Sequence, residues 1–285
     1  MTDGPGHRLA VFGAGTMGVG ITALAIGRGV PVTLVDVDAE RLAAARARVR
    51  HELRTARMMG ALPHDGPVGD LALADAADAA ADATAVIEAI TEAADLKVKV
   101  QNDIAAVVAP TALRVTNTSS IPVDELAGQV PRPEFLVGVH FMNPAYLIGT
   151  LEVVRGPRTG DAAMAAVRSL LDALGRKPIV VDDGPGFVTS RVLHRMINDA
   201  ARVVEEGRAT VEDVDALMEQ CIGHRTGPLK TADLIGIDNL VDSLRVLYER
   251  TGDEGCKPSA LLLRKVAEGH HGRKTGRGFY EYGTA

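Results

Sequence analysis

A histidine and a glutamate twelve positions apart have side chains that together could move a proton. His140 lies in VGVHFMNPA, where an apolar run meets a loop, and Glu152 lies in the next apolar run, LEVV. A glutamate in a buried strand needs a polar partner. If the carboxylate accepts from one imidazole nitrogen, the other nitrogen can take a proton, and an imidazole with an ordinary pKa near ~6.5 suits the deprotonation of an alcohol. From the spacing alone, a hydrogen-bonded core histidine is an equally good interpretation.

The glycine-rich stretch RLAVFGAGTMGVG, residues 8–20, indicates a dinucleotide site. An apolar run precedes the glycines and a helical pattern follows them, as in the G-x-G-x-x-G turn that brings a pyrophosphate to a helix N-terminus. The predicted cofactor-binding turn consists of Gly13, Gly15, Thr16, Met17 and Gly18.

The second predicted strand, Val32 to Val35, ends in Asp36. This acid follows Gly18 at close to the separation expected for a carboxylate that accepts from a ribose 2′-hydroxyl. Val37 comes next, and no arginine stands beside it to bind a 2′-phosphate. We therefore predict NAD rather than NADP as the cofactor.

Two polar segments follow predicted strands and could contact ligand. The segment NTSS, residues 117–120, could hold a substrate oxygen or the nicotinamide ribose, although an ordinary turn or helix cap is favoured on the residues alone. Asn143, three residues after His140, is open to the same two interpretations.

Composition excludes several classes of protein. The formal net charge is −6, and no basic tract interleaved with aromatic residues suggests nucleic-acid binding. The longest apolar stretch near the N-terminus is too short to span a bilayer, and no signal-peptide pattern precedes it. Cys221 and Cys256 form neither a metal-binding cluster nor a disulfide framework. We expect a cytoplasmic protein without a metal site or a membrane partner.

The order of apolar patterns predicts an α/β fold with two domains. Strands alternate with helices as far as Asp182, which indicates a Rossmann-like, doubly wound, mostly parallel sheet. A smaller all-helical domain should follow, so we predict domains at 1–183 and 184–285. Its predicted helices cover 187–206, 211–221, 231–250 and 258–267, with one further short strand considered at Phe279 to Tyr282. These helices offer a poor core, which favours burial of their apolar faces in a homodimer.

Six separated motifs give the chain a resemblance to the L-3-hydroxyacyl-CoA dehydrogenase family. They are GAGTMGVGI, VIEAITE with its following lysine, NTSS, HFMNP with its later glutamate, PGFV and KTGRGFY. The resemblance implies a Rossmann-like domain followed by a helical dimerisation domain. It also implies that His140 is the catalytic base, that Glu152 orients it, and that Ser119 binds the substrate oxygen. The residues implied to contact NAD are Glu92, Lys97, Ser119, Asn143 and Lys274.

The chain departs from the family pattern where substrate is expected. Ser190, in PGFVTSR, stands where members of the family usually carry an asparagine that binds substrate. Ser190, His194 and Arg225 could bind a polar acyl group, although His194 and Arg225 are more simply explained as solvated residues or dimer contacts. The phrases HFMNPAYLIGT, PGFVTSR and GHRTGPL resemble a subgroup that oxidises a glyceryl group on an acyl carrier protein in polyketide extender-unit pathways.

The resemblance therefore implies oxidation of the 3-hydroxyl of a 3-hydroxyacyl thioester, with glyceryl-acyl carrier protein as the expected substrate and its semialdehyde as the product. A short-chain 3-hydroxybutyryl-CoA dehydrogenase is the alternative within the family. A non-catalytic NAD-binding protein is the alternative of another class, and the presence of both His140 and Glu152 argues against it.

Overall fold

The computed structural model describes residues 6–283. The chain divides into two compact units, and the boundary between them lies between Gly184 and Pro185. The first five and last two residues of the predicted domains lie outside the described residues. Within the described part of the chain, no helix has the length and apolar character needed to cross a bilayer.

The first unit is built on one eight-stranded sheet in the order β3-β2-β1-β4-β5-β6-β7-β8. Strands β1 to β6 are parallel, β7 runs antiparallel to β6, and β8 runs parallel to β7. The predicted Rossmann-like, mostly parallel sheet is confirmed. The strands are β1 (Leu9–Phe12), β2 (Val32–Val35), β3 (Leu71–Ala74), β4 (Ala85–Glu88), β5 (Leu113–Thr116), β6 (Leu136–His140), β7 (Thr150–Arg155) and β8 (Lys177–Asp182).

Helices cover both faces of this sheet, which explains why a central strand such as β1 carries apolar residues on both faces. In β1, Leu9 and Val11 belong to one buried cluster while Ala10 and Phe12 belong to another. The helices of this unit are α1 (Thr16–Gly27), α2 (Ala39–Met58), α3 (Ala94–Val107), α4 (Val123–Ala127) and α5 (Asp161–Ala173).

Helix α2 begins where Asp38 caps it. The Asp38 carboxylate accepts from the backbone N–H groups of Glu40 and Arg41, both at 3.0 Å. Such a cap satisfies two donors that the helix itself leaves unpaired. The cap lies two residues after Asp36, so α2 starts beside the predicted cofactor turn.

The second unit is helical, as predicted, but one predicted helix is divided. The segment 231–250 belongs to two helices that meet at Gly236, whose φ of 95° an L side chain rarely adopts. At Phe279 to Tyr282 the structure has isolated bridges involving Arg277 instead of a strand. The helices are α6 (Thr189–Glu205), α7 (Val211–Gln220), α8 (Pro228–Ile235), α9 (Ile237–Thr251) and α10 (Ala260–Ala267).

This helical unit has a substantial core of its own, contrary to the expectation from sequence. The core forms because α6, α8 and α9 direct apolar residues at helical spacing toward one another. Its fully enclosed members include Ile197, Leu229, Leu240, Leu244 and Leu262. Weak packing within the unit is therefore no argument for a dimer.

Candidate active site

The glycine turn between β1 and α1 requires glycine at two of its three positions. Gly13 has a φ of 105°, and a Cβ there would lie 2.6 Å from the carbonyl oxygen of Ala89. A Cβ on Gly18 would lie 1.7 Å from the carbonyl oxygen of Gly13. Glycine therefore lets the chain turn at Gly13 and lets α1 approach the end of β1.

Gly15 has a different role, because a Cβ there would meet no atom within 4 Å. It is the N-cap of α1 and provides no side-chain acceptor for the first-turn N–H groups. Thr16 in that turn is exposed, and Met17 packs partly against the core. Open space beside uncapped N–H groups at a positive helix end fits the pyrophosphate of NAD.

Asp36 follows β2 and holds the glycine turn in place. Its carboxylate accepts from the N–H of Ala14 at 2.6 Å and from the N–H of Asp38 at 2.9 Å. A carboxylate has about four acceptor sites, so these two bonds leave capacity for a ribose hydroxyl. From the other side, Arg48 Nη1 donates to the carbonyl oxygen of Ala14 at 2.9 Å. The residues fit a dinucleotide whose ribose lies beside Asp36.

The strand order places this turn at a topological switch point. From the adjacent strands β1 and β4, the chain continues to β2 on one side and to β5 on the other. In open α/β sheets the ligand crevice lies outside the carboxyl ends of the strands at such a point. The carboxyl ends of β4, β5 and β6 lie along this same edge, and the remaining predicted residues of the first unit are found at or just beyond them.

His140 is the last residue of β6, and Glu152 lies directly opposite it on β7. Because the two strands are antiparallel, directly opposed side chains project from the same face of the sheet. His140 Nδ1 lies 3.1 Å from Glu152 Oε2, and both residues are buried, with 9% and 6% of their surface exposed. Glu152 therefore meets the imidazole of His140, as the sequence predicts.

This arrangement can assign the two imidazole nitrogens to different tasks. When Glu152 accepts from Nδ1–H, the proton-accepting nitrogen is Nε2. The carboxylate also stabilises the imidazolium that forms when Nε2 takes a proton. The pair has the chemistry of a general base with an orienting partner.

A second buried ionic group lies at the ends of β4 and β5. Glu88 and Lys97 have no exposed surface, and Lys97 Nζ lies 2.7 Å from Glu88 Oε1. Thr116 Oγ1 donates to Glu88 Oε2 at 2.8 Å, and the N–H of Ile90 donates to Glu88 Oε1 at 3.0 Å. Sequence reasoning missed Glu88 and Thr116. A glutamate in an apolar strand with a lysine nine residues later was the available signal.

Lys97 also lies 3.3 Å from Glu92 Oε2. Lys97 has no exposed surface in this conformation, and its direct contact with NAD stays a prediction. Packing between two carboxylates and helix α3 encloses it. Lys97 also fixes Glu92, which keeps 32% of its side-chain surface exposed.

Glu92 accepts several hydrogen bonds from the polar loop that follows β5. Its Oε1 accepts from Thr118 Oγ1 at 2.6 Å and from the N–H groups of Ser119 and Ser120 at 2.8 and 3.1 Å. Burial opposes the charge of this carboxyl, but the Lys97 ammonium and these hydrogen bonds outweigh burial and hold its pKa below the ordinary 4.5. An ionised Glu92 therefore anchors the predicted substrate-binding serine.

The predicted ligand contacts at the ends of β5 and β6 have different surroundings. Ser119 is partly exposed, and its Oγ lies 3.3 Å from Glu92 Oε1. Asn117 Oδ1 accepts from the N–H of Phe141 at 2.9 Å, which joins the ends of the two strands. Asn143 is exposed in the loop beyond His140. Contacts of Ser119 and Asn143 with ligand stay predictions.

The other predicted residues belong to the helical unit. Ser190 and His194 lie on the buried face of α6, and His194 Nδ1 is 2.8 Å from Ser243 Oγ. Arg225 is exposed. Lys274 Nζ lies 2.5 Å from Asp238 Oδ2. Burial raises the pKa of Asp238, but Lys274 and neighbouring donors outweigh burial and leave it below its ordinary value. Roles for these residues with substrate or NAD stay predictions.

Comparison with known proteins identifies both units. Residues 8–184 match the family model for the NAD-binding domain of 3-hydroxyacyl-CoA dehydrogenase, and residues 186–282 match the model for its C-terminal domain. A 3-hydroxybutyryl-CoA dehydrogenase from Bradyrhizobium diazoefficiens is 37% identical over 278 residues, which cover 96% of this chain and 95% of the relative. A probable 3-hydroxybutyryl-CoA dehydrogenase from Bacillus subtilis is 35% identical over 278 residues, with coverage of 96% and 97%.

Solved structures of similar proteins indicate the same family. The crystal structure of FadB2 from M. tuberculosis superposes with a TM-score of 0.92 at 34% identity and covers 97% of this chain and 99% of its own. That of (S)-3-hydroxybutyryl-CoA dehydrogenase PaaH1 from Ralstonia eutropha gives a TM-score of 0.87 at 36% identity, with coverage of 98% and 99%. The chain belongs to the 3-hydroxyacyl-CoA dehydrogenase family, and NAD is its cofactor.

Proposed function

We propose that this protein oxidises the 3-hydroxyl of a short-chain 3-hydroxyacyl thioester and that 3-hydroxybutyryl-CoA is a substrate. The observation that carries the reaction is the buried contact between His140 Nδ1 and Glu152 Oε2 at the end of β6. The names of several relatives, 35–37% identical over nearly the whole chain, support the choice of thioester.

In the reaction, His140 takes the hydroxyl proton on Nε2 while Glu152 keeps the ring oriented and stabilises the imidazolium. When bound, NAD supplies the acceptor for the hydride that leaves the same carbon. The alcohol loses one proton and one hydride, and a carbonyl forms. Ser119, fixed by Glu92, holds the substrate oxygen beside His140, and Asn143 contacts NAD.

Glyceryl-acyl carrier protein remains a second candidate substrate, because Ser190 differs from the family's usual asparagine. The glyceryl group has a 2-hydroxyl that needs a polar partner, and Ser190 or His194 on the buried face of α6 has the chemistry to provide one. The comparisons favour the CoA ester over this carrier-bound substrate.

We also propose that the protein works as a homodimer in the cytoplasm. Large apolar residues of the helical unit stay exposed, including Val192 at 64% and Ile222 at 65%. A second copy of the chain is the expected cover for them. The oligomeric state is measured by sedimentation of the purified protein.

The test is to follow NADH formation with 3-hydroxybutyryl-CoA and glyceryl-acyl carrier protein in parallel. Turnover with the CoA ester supports the main proposal, whereas turnover with the carrier alone selects the second candidate. NAD binding without turnover of either thioester contradicts both candidates and supports a non-catalytic NAD-binding protein.

A further inference from the structure

The loop between β6 and β7, residues 141–149, joins the strands of the proposed base and its partner, and it carries Asn143. We call this segment the β6–β7 loop. Asn143 is exposed, but Ala145 and Tyr146 are buried, with 1% and 5% of their surface exposed. Both buried residues belong to an apolar cluster of the first unit. The middle of the loop is therefore anchored in the protein interior, while the residue predicted to contact NAD stays accessible.

Arg176, just before β8, holds the backbone of this loop. Its Nη2 donates to the carbonyl oxygen of Tyr146 at 2.9 Å and to that of Ala145 at 3.5 Å. The next residue, Lys177, donates its backbone N–H to the carbonyl oxygen of Gly149 at 2.9 Å. A planar guanidinium suits this task, because its donors are fixed in a fork that can meet two adjacent acceptors. The turn before β8 therefore fixes both the middle and the end of the loop.

The surroundings of Arg176 make its charge depend on the loop. Arg176 is only 6% exposed, and among residues 6–283 no carboxylate pairs with it and its Nε has no hydrogen-bond partner. Burial and the nearby guanidinium of Arg28 lower the pKa of Arg176 to about 10, so it keeps its charge at neutral pH. A buried cation without a carboxylate needs other acceptors. The carbonyl groups of the loop supply them.

Other contacts also hold the middle of the loop. The Tyr146 hydroxyl donates to the carboxylate of Glu52 on α2, and this bond adds to burial in raising the pKa of Tyr146 to about 12. Ala145 lies beside α1, where a Cβ at Gly20 would be 3.7 Å from the Cβ of Ala145. Because these contacts do not involve Arg176, its loss should loosen the loop without unfolding it.

We propose that Arg176 is a positioning residue for NAD, which holds the β6–β7 loop so that Asn143 meets the cofactor. The inference rests on the proposed contact between Asn143 and NAD. Asn143 is two residues before Ala145, so a shift of the Ala145 carbonyl reaches it along a short length of chain. His140 is fixed separately, by strand pairing and by Glu152. The main effect of Arg176 is therefore on NAD affinity rather than on proton transfer.

The test compares Arg176→Met with Arg114→Met. Arg114 is a matched control, because it is also buried, its pKa is also lowered to about 10, and its Nη2 also donates to backbone carbonyl groups, those of Pro131 and Arg132. Those carbonyl groups lie outside the β6–β7 loop. The dissociation constant of NAD is measured by calorimetry, the free energy of unfolding in urea, and hydrogen exchange of residues 141–149 without NAD.

We expect both methionine variants to lose stability, but only Arg176→Met to speed hydrogen exchange in the loop and to raise the dissociation constant of NAD about 3- to 10-fold. The reason is that the loop then spends only part of its time in the conformation that binds NAD. Arg176→Lys keeps the charge without the fork, so its NAD affinity should be intermediate. If Arg176→Met does not fold, the same comparison is made with Arg176→Lys.

A double variant tests whether Arg176 acts through Asn143. In an Asn143→Ala background, Arg176→Met should cause little further loss of NAD affinity, because both changes affect one contact. At saturating NAD, kcat for Arg176→Met with 3-hydroxybutyryl-CoA should change less than its KM for NAD.

Unchanged NAD affinity in Arg176→Met, an equal loss in Arg114→Met, or additive losses with Asn143→Ala would overturn the positioning proposal. Wild-type NAD affinity in Asn143→Ala would also overturn it, because there would be no contact to position. The expected pattern of NAD affinities in a protein that turns over no thioester would support the role of Arg176 and contradict only the proposed reaction.

Discussion

Two buried ionic groups at the same edge of the sheet differ in whether they can move a proton. The β6–β7 group joins His140 to Glu152, and the β4–β5 group joins Lys97 to Glu88 and Glu92. In the first, an imidazole nitrogen can take a proton from a bound alcohol. In the second, a fully buried ammonium lies between two carboxylates, and one of them, Glu92, holds the loop after β5. Burial beside a carboxylate therefore does not by itself identify a catalytic residue. The chemistry of the side chain that faces the carboxylate, imidazole in one group and ammonium in the other, distinguishes the two.

The largest expected effect is on turnover, from His140→Asn. This change removes the proton acceptor but keeps a polar side chain of similar size, so kcat should fall roughly 10²–10⁴-fold. Steady-state formation of NADH from 3-hydroxybutyryl-CoA measures the loss. NADH affinity and thermal stability serve as controls and should stay near wild type. A variant that keeps full turnover would remove the base assignment.

The second expected effect is on stability, from Lys97→Met. Removing the ammonium leaves the enclosed carboxylate of Glu88 without its ionic partner, and breaking such a buried pair costs about 3–5 kcal/mol. Urea unfolding measures the change in free energy. The double variant Glu88→Gln, Lys97→Met removes both charges and should recover part of the loss. Wild-type stability in the single variant would contradict the structural role given to Lys97.

A smaller loss of activity is expected from Glu152→Gln. The base is still present but is no longer oriented by a carboxylate. Orienting partners of metal-bound histidines contribute about 10- to 100-fold, and we expect a loss of that order here. We expect the loss mainly in kcat, with KM for the thioester nearly unchanged. A variant defective only in KM would instead make Glu152 a substrate-binding residue.

The smallest effect concerns the pH dependence of stability at Glu92. Because its pKa in the folded state lies below the ordinary value of 4.5, ionised Glu92 stabilises the fold above that pH. This contribution is lost as pH falls through the lowered pKa. The stability difference between wild type and Glu92→Gln should therefore be largest near pH 7 and shrink below pH 4.5. Urea unfolding at several pH values tests this, and a constant difference would be inconsistent with it.

Local sequence signals predicted the sheet and the glycine turn because strands, turns and strand ends depend on nearby residues. His140 and Glu152 could be paired because each is a polar residue at an apolar strand. The burial of Lys97 was harder to predict, since it depends on Glu88 and on the packing of α3. The division of the helix at Gly236 shows the same limit, because helical periodicity continues across the break.

The positions of the arginines on the faces of α2 likewise require the structure. Arginines are frequent throughout the segment 38–60, and their frequency alone does not show which of them contact another segment of the chain. The structure shows which arginines share an exposed face and which one instead holds Ala14.

The central claim is that Glu152 acts on the reaction through His140, and a double-mutant cycle tests it most directly. The values of kcat are measured for wild type, His140→Asn, Glu152→Gln and the double variant with saturating NAD and 3-hydroxybutyryl-CoA. Residues that act as one unit are not additive, so the double variant should be no slower than His140→Asn alone. A double variant slowed by the product of the two single effects would show that Glu152 acts independently and would contradict the account.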